Sequence, residues 1–513
     1  MASVVESESH LPAERATSMS RAAIAARGER LARVAFFAIS VAACAWLSYY
    51  ILARVVQPYP LDAFEEYQLH KANLWWQGAA LYRAPGVEQL PEAYPPLYFW
   101  LLGVWSRICG ETFFAQRLLS LVALAGVIGC GLWELRDAAD RRAARCAFVA
   151  VFLSFHALAG KFFEVGKPDM LLTLFLAVAL VTGEHRSRAA VIVSSVAIVL
   201  ASLTKQNAPL FLLPICLSHV LAGRRGWATA WCGAIAATIA ASYVLIDWFA
   251  GGHFFHWVFQ WTAGHGVDLA GGLARTARSV LTRGPLLAVI VAGSLVLQPR
   301  GRWTWCLVAA VGLAVLGMSK SGGRENHLLP AAFIGAVIAG RWIGQTSCNT
   351  SPTRERRWLA PLVLAALMLA VLPGLPTRRD FRWLRQRAEE ANDWVAAVER
   401  IDGRVAVSHH LLLARRAGAE CFFSDLILKF RGLDVPRHTR ARIASQEFDY
   451  LVLCADPRES ATPGWVGLVA ENYEPAGELE FRNRSDVLPR RVFAARRLGE
   501  SQSRWSVPET GVE

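Results

Sequence analysis

The 513-residue chain has no Cys-x-x-Cys pair, no cysteine or histidine set at zinc-ligand spacing, and no P-loop. Those absences argue against a structural zinc module, a dithiol redox motif and a cytoplasmic nucleotide-phosphate site. Charge is also scarce: 19% of residues are charged and 54% hydrophobic, with 19 Trp. Soluble domains are richer in charge and poorer in apolar residues than this. The ten cysteines fall mostly inside apolar stretches (Cys44, Cys130, Cys146, Cys232, Cys306), where they act as small hydrophobes. Cys421 and Cys454 alone lie in the polar C-terminal region, either as two thiols or as one disulfide.

What is present is a series of apolar runs from Val34 to about Leu372, ending where the chain turns polar and Arg-rich beyond Pro376. The expected architecture is an all-α polytopic membrane domain over 31–375, resembling no soluble fold class. A small α/β domain follows over 376–500. A polar tail over 1–30 and a second over 501–513 flank them. The run Val34 to Leu52 is long enough to span and has no small-residue cleavage site, so it reads as a retained first helix.

The net charge of +13 does not point to nucleic acid, because arginine is concentrated in short loops between apolar runs. Arg136 to Arg145, Arg186 with Arg188, Arg224-Arg225, Arg300 with Arg302 and Arg354 to Arg357 follow alternate runs. With Arg21, Arg27, Arg30 and Arg33 they define a cytoplasmic side. About eleven spans are expected: 34–53, 117–135, 146–162, 170–183, 189–203, 208–222, 228–249, 285–298, 303–318, 328–344 and 358–374. Leu97 to Trp105 is too short to cross and reads as an interfacial or re-entrant helix. This count puts the N-terminus on the cytoplasmic side of a cell (inner) membrane and the C-terminal domain on the extracytoplasmic side. Four polar corners then share the outer face.

The first corner is acidic: Asp62, Glu65 and Glu66 lie within five residues, followed by Trp75-Trp76, Tyr82 and Tyr94-Pro95-Pro96-Leu97-Tyr98. If Asp62 starts a helical turn, Glu65 and Glu66 share its face, and a carboxylate in an interfacial pocket is a candidate base. A solvated acidic loop with an aromatic belt explains the same residues. Asp169, after Pro168, serves equally as a helix N-terminal acid or as a second acid of the cavity. Lys205 with Gln206 and Asn207 reads as a snorkelling cation or an anion-binding corner. Lys320, Arg324, Asn326 and His327 surround Gly322-Gly323, a glycine-rich turn entering a helix with two cations, which suits phosphate. His253, His256 and His265 sit among Phe254, Phe255, Trp257 and Trp261 without an acidic or thiol partner. An aromatic lid is expected there and no metal site; no cofactor is indicated elsewhere.

Taken in order, Asp62 to Tyr67, Gly78…Tyr82, Tyr94 to Tyr98, Arg117-Leu118-Leu119-Ser120, Lys167 to Leu171, Leu203 to Gln206 and Arg324 to His327 resemble the bacterial GT-C glycosyltransferases. The subgroup is glycosyltransferase family 39, of protein mannosyltransferase and aminoarabinose transferase type, and the resemblance covers about residues 34–375. It implies an integral membrane enzyme transferring a hexosyl or pentosyl group from a polyprenyl-phosphate carrier at the outer face. The acceptor is a lipid, a glycan or a protein. By this resemblance Asp62 is the catalytic base and Asp169 the second acid. Lys205 and Arg324 contact the lipid phosphate, and Tyr82 and Tyr98 flank the donor. Glu65, Glu66, Asn326 and His327 are placed around the same substrates. Ala63 follows Asp62 where the eukaryotic mannosyltransferases have an Asp-Glu pair, which bears on the acceptor.

The C-terminal region alternates a helix from Trp383 to Ile401, a strand at Arg404 to Val407, a helix at Leu411 to Ala417, and strands near Phe448 to Cys454 and Val492 to Ala495. It carries no catalytic motif and is expected to be a scaffold or docking module. A transporter or flippase of lipid-linked sugars is the alternative, though neither mid-membrane charge nor an inverted repeat is visible.

Overall fold

The computed structural model describes residues 11–62, 64–84, 92–183, 187–221, 223–264, 266–298, 301–346, 375–407, 411–421, 437–453, 465–479 and 491–498. In chain order the helices are α1 (Leu11–Val55), α2 (Glu65–Trp76), α3 (Leu97–Cys109), α4 (Phe113–Glu134), α5 (Arg141–Ser154), α6 (Pro168–Thr182) and α7 (Arg188–Thr204). They continue with α8 (Leu212–Leu221), α9 (Arg225–Phe249), α10 (His253–Phe255), α11 (Leu269–Arg283), α12 (Pro285–Leu297), α13 (Arg302–Ser319) and α14 (Leu329–Thr346). The C-terminal part contributes α15 (Arg378–Glu399), β1 (Val405–Val407), α16 (Leu411–Arg416), β2 (Glu420–Cys421) and α17 (Arg437–Ala444). It ends with β3 (Tyr450–Leu453), α18 (Trp465–Asn472), β4 (Tyr473–Glu478) and β5 (Arg491–Ala495).

The chain is a mostly helical, multi-pass membrane protein with a small C-terminal sheet. Among the described residues, five helical segments are long and apolar enough to cross a membrane: Val34–Val55, Phe113–Glu134, Arg225–Phe249, Arg302–Ser319 and Glu325–Gln345. The pair α11 and α12, bent by 104°, makes a sixth if counted as one span. The expected eleven is therefore not reached by length. α6, α7 and the stretch Ala208–Leu221 are apolar but of 10–17 residues, short of the ~20 that cover a bilayer core. The expected span 146–162 stops early: α5 ends at Ser154, and Gly160 and Lys161 take positive φ of 65° and 64°. The helix closes at Phe155, and that left-handed pair turns the chain again five to six residues further on. The span at 358–374 lies outside the described residues, as do Cys454 and His265.

The contacts divide the chain into two units. One comprises residues 1–49, 126–161 and 268–375. Its centre is an aromatic stack: Phe148 lies parallel to Phe152 at 5.9 Å, and Phe333 meets both edge-on at 6.1 and 6.3 Å. Gly340 lets α14 approach α5, since a Cβ there would stand 2.8 Å from the Ala144 carbonyl.

The other unit comprises residues 50–125, 162–267 and 376–513. α6 is buried along most of its length and packs on α7, where Ser194 donates to the Ala179 carbonyl at 2.9 Å. The sheet runs β2-β1-β3-β5-β4, parallel among β2, β1 and β3 and antiparallel through β5 and β4. Alternation sends Val405, Val407, Tyr450, Val452, Val492 and Ala494 to one face and Ala406, Leu451, Leu453, Phe493 and Ala495 to the other. α15 opens with a capping box, in which Asp380 accepts from the Thr377 amide at 2.8 Å. Its Trp394 is fully buried on the first face of the sheet.

Candidate active site

The acidic segment joins the C-terminal sheet on both of its faces. Tyr59 and Leu61 pack with Trp394, Val398 and Val452, whereas Phe64 and Tyr67 pack with Phe448, Leu451, Tyr473 and Phe493. Asp62 lies between these two anchors. It is not in a helix: α2 begins at Glu65, and Asp62 Oδ1 accepts the Phe64 amide at 3.0 Å in an Asx turn. The expected shared helical face is thus replaced by a turn, in which Asp62 and Glu65 take different partners.

Asp62 is 5% exposed and forms an ion pair with Lys167, Nζ to Oδ1 2.8 Å. Two residues on, Asp169 forms the next pair with Lys205, again Nζ to Oδ1, at 2.5 Å. Pro168 between them is the first residue of α6, which aims Lys167 and Asp169 at opposite partners. Asp62, Lys167, Asp169 and Lys205 therefore make one alternating ladder of charge, each member 2–6% exposed.

Glu65 is a different kind of carboxylate. It receives Arg117 Nε at 3.1 Å and the Gly166 amide at 2.7 Å on Oε1. Arg117 Nη2 at 2.9 Å and the Leu61 amide at 2.7 Å reach Oε2. Four donors fill its acceptor capacity, and both Glu65 and Arg117 are fully buried. Arg117 also donates to the carbonyls of Gln57 (2.8 Å) and Tyr59 (2.5 Å). Gln116 bridges the carbonyls of Glu65 (3.0 Å) and Gly166 (2.6 Å). Glycine at 166 is required by that approach, because a Cβ would stand 2.4 Å from Gln116 Cγ. A fourth buried ion pair joins Arg54 to Glu164.

Sequence reasoning left Arg54, Gln116, Glu164 and Lys167 without roles. The available signal was chemical: an acid and a cation inside apolar runs are costly and are kept where they pair. Glu66 is also buried, on α2. Tyr82 is enclosed, donates to the Tyr94 carbonyl at 2.8 Å, and meets Phe254 edge-on at 5.2 Å. Burial, with Glu92 nearby, holds its hydroxyl well above the usual tyrosine range, so it acts as a neutral donor. Glu92, 1% exposed, is a carboxylate the motifs did not single out. Tyr98 is buried, its hydroxyl 3.5 Å from Gln116 Nε2. Gln206 donates to the Ala93 carbonyl at 3.1 Å, and the Lys205 ammonium lies 5.7 Å from the Tyr94 ring. Trp257, on a π-helical turn from His256 to Trp261, donates to the Arg83 carbonyl at 2.6 Å. Among the described residues no group of three or more His, Cys, Asp or Glu is arranged to hold a metal.

Arg324, Asn326 and His327 belong to the other unit. Lys320 and Arg324 are exposed, Asn326 is 7% exposed, and Gly322 has a positive φ of 77°. Glu325 pairs with Arg283 at 2.9 Å. Gly317 allows the His327 ring to lie against α13, since a Cβ would be 2.5 Å from that ring.

No protein-family model and no curated protein matches the chain. Solved structures do. ArnT from Cupriavidus metallidurans bound to undecaprenyl phosphate aligns with a TM-score of 0.58 at 14% identity, covering 90% of this chain and 97% of that one. The chain has a GT-C glycosyltransferase fold. The same ArnT in its apo state gives a TM-score of 0.57 at 13% identity, again over 90% of this chain and 97% of its own. A match over 90% of this chain extends beyond its membrane helices into the C-terminal region 376–513.

Proposed function

We propose that the protein is a membrane glycosyltransferase that moves a sugar from a polyprenyl-phosphate carrier to an acceptor at the extracytoplasmic face, with Asp62 as general base. The observation that carries this reading is the buried ladder Asp62–Lys167–Asp169–Lys205. It occurs on the fold that, in ArnT, is bound to undecaprenyl phosphate.

The chemistry needs two things at one place. As the bond from the anomeric carbon to the carrier phosphate breaks, the phosphate oxygen keeps the electron pair and gains charge, which a nearby ammonium stabilises. As the bond from the acceptor oxygen forms, its proton passes to a carboxylate. Lys205 is the cation we assign to the phosphate, exchanging Asp169 for the ligand. Asp62 is the assigned base, and Lys167 positions it. Glu65 has no acceptor capacity to offer a substrate, and we assign it with Arg117 to holding the loop. Tyr82 and Tyr98 supply aromatic walls and neutral hydroxyls.

The test replaces charge while keeping size. Asp62→Asn, reconstituted in vesicles with a purified polyprenyl-phosphate sugar, should lose transfer by a factor on the order of 100 or more, with folding and insertion retained. Transfer at the wild-type rate by a folded Asp62→Asn protein would remove Asp62 from the chemistry. Movement of lipid-linked sugar between leaflets with no transfer product would favour a flippase.

A further inference from the structure

α11 is built inside out. The residues it buries are Gly272, Thr276 and Ser279, small and mostly polar. Its leucines point away from the protein: Leu269, Leu273 and Leu281 are 57, 60 and 65% exposed. A helix facing water would reverse that pattern. The attachment to the protein is close and polar. Asp268 caps the helix by accepting from the Gly271 amide at 2.8 Å, and its own amide donates to the Ser319 carbonyl at 2.8 Å. A Cβ on Gly272 would stand 1.9 Å from Ser319 Oγ, so the leucines cannot be turned inward by rolling the helix.

Placed at 100° per residue, the exposed part divides into two sectors. Leu269, Ala270, Leu273, Ala277 and Leu281 occupy one, and Arg275 and Arg278 the sector beyond it. The helix carries three arginines and no carboxylate. Immediately after it the chain bends by 104° into the largely apolar α12. A helix with an apolar sector beside a basic one, set nearly at right angles to an apolar helix, fits the plane of a bilayer surface.

We infer that α11 is a docking surface for the bilayer itself, its leucines seated among acyl chains and its arginines against anionic headgroups. The partner is a lipid surface. A second copy of the chain would meet the arginine sector with an identical arginine sector, which repels. The same helix holds the turn that follows α13: Arg275 donates to the Met318 carbonyl, and Arg283 pairs with Glu325 at 2.9 Å. Lipid that seats α11 therefore also steadies the turn bearing Arg324, Asn326 and His327.

The experiment compares two positions on one helix. In a cysteine-free background, Leu273→Cys and Arg278→Cys are labelled with bimane and reconstituted into phosphatidylcholine vesicles whose acyl chains are brominated. Leu269→Cys and Leu281→Cys replace Leu273→Cys if that protein does not fold. Quenching should be at least about threefold stronger at the leucine positions than at 278. Equal quenching overturns the placement, and so does a spontaneous disulfide between copies through position 273, which would assign the face to a second molecule. Replacing a quarter of the lipid by phosphatidylglycerol should raise the thermal midpoint of the wild type, and less so for Arg278→Gln. Equal shifts in the two proteins overturn the headgroup half. Neither readout depends on sugar transfer, so both stand apart from the assignment of Asp62.

Discussion

Two charged regions of this protein are built on opposite plans. Around residues 54–65 and 162–169, with Arg117 and Lys205, four carboxylates meet four cations: Asp62 with Lys167, Glu65 with Arg117, Glu164 with Arg54, Asp169 with Lys205. All eight side chains are nearly sealed from solvent. The turn from Ser319 to His327 instead leaves Lys320 and Arg324 exposed around a glycine in the left-handed region. Eight charges removed from water have a large desolvation cost, offset only when every partner is placed well. That favours a region fixed before any ligand arrives. The exposed turn costs little to hold and little to rearrange, which suits a contact that forms as a substrate arrives.

The largest expected effect comes from breaking the fixed region at its most saturated point. Glu65→Gln leaves the Arg117 guanidinium buried with a neutral partner, and Arg117→Met leaves the carboxylate so. Either change should destabilise by about 3–5 kcal/mol, read as a lowered unfolding midpoint in detergent. By the family resemblance Glu65 is placed around the substrates, which would predict a loss of activity in a folded protein. Its four donors now predict a folding defect instead. An unfolding midpoint like the wild type's would show that the pair is dispensable.

The next effect sets the two regions directly against each other. Lys205→Ala and Arg324→Ala should each weaken use of the lipid-phosphate donor, by about 1.5–3 kcal/mol for a charge-assisted contact. Lys205→Ala should also lower stability, since it leaves Asp169 buried without that ammonium, whereas Arg324→Ala should leave the midpoint alone. Equal stability losses would erase the distinction between a fixed and an open region.

Two glycines sharpen the same contrast. Gly166→Ala drives a methyl into Gln116 and should cost about 1–3 kcal/mol, disturbing the Lys167 corner and with it transfer. Gly322→Ala meets open space and should cost only the ~1 kcal/mol of its left-handed backbone. Chemical denaturation of the two variants decides the order.

How much of this was written in the sequence follows from how local each signal is. The helix at 378–399 and the strands at 405–407, 450–453 and 491–495 show as periodicity and fall near their expected bounds. β2 has only two residues, and β4 reads Tyr-Glu-Pro-Ala-Gly-Glu with a register shift between Pro475 and Gly477. Neither carries an alternation to detect. The ordered motifs pointed to Asp62, Asp169 and Lys205, which the structure brings into one ladder. Its missing rung, Lys167, stood inside a quoted motif but joins a residue more than a hundred positions earlier, and no spacing rule reaches that far. Glu65 with Arg117, 52 positions apart, and Glu164 with Arg54, 110 apart, also lie beyond any spacing rule. Pairing across the chain is a tertiary fact, and only burial reveals which charges it consumes.

The smallest effect concerns pH and lies on α2, beside the fixed region. His70 is mostly buried, and burial, with Arg415 and Lys71 nearby, lowers its pKa from 6.5 to about 4. The folded protein thus holds this imidazole neutral where the unfolded chain would protonate it. Its contribution to stability is complete above about pH 6.5 and is lost as pH falls toward about 4. The loss reaches about 1 kcal/mol near pH 6 from this group alone. His70→Gln, which does not titrate, should flatten the fall in unfolding midpoint between about pH 6.5 and 5 while leaving the shape above pH 7 unchanged. A fall of the same steepness in His70→Gln would assign the acid sensitivity to other groups.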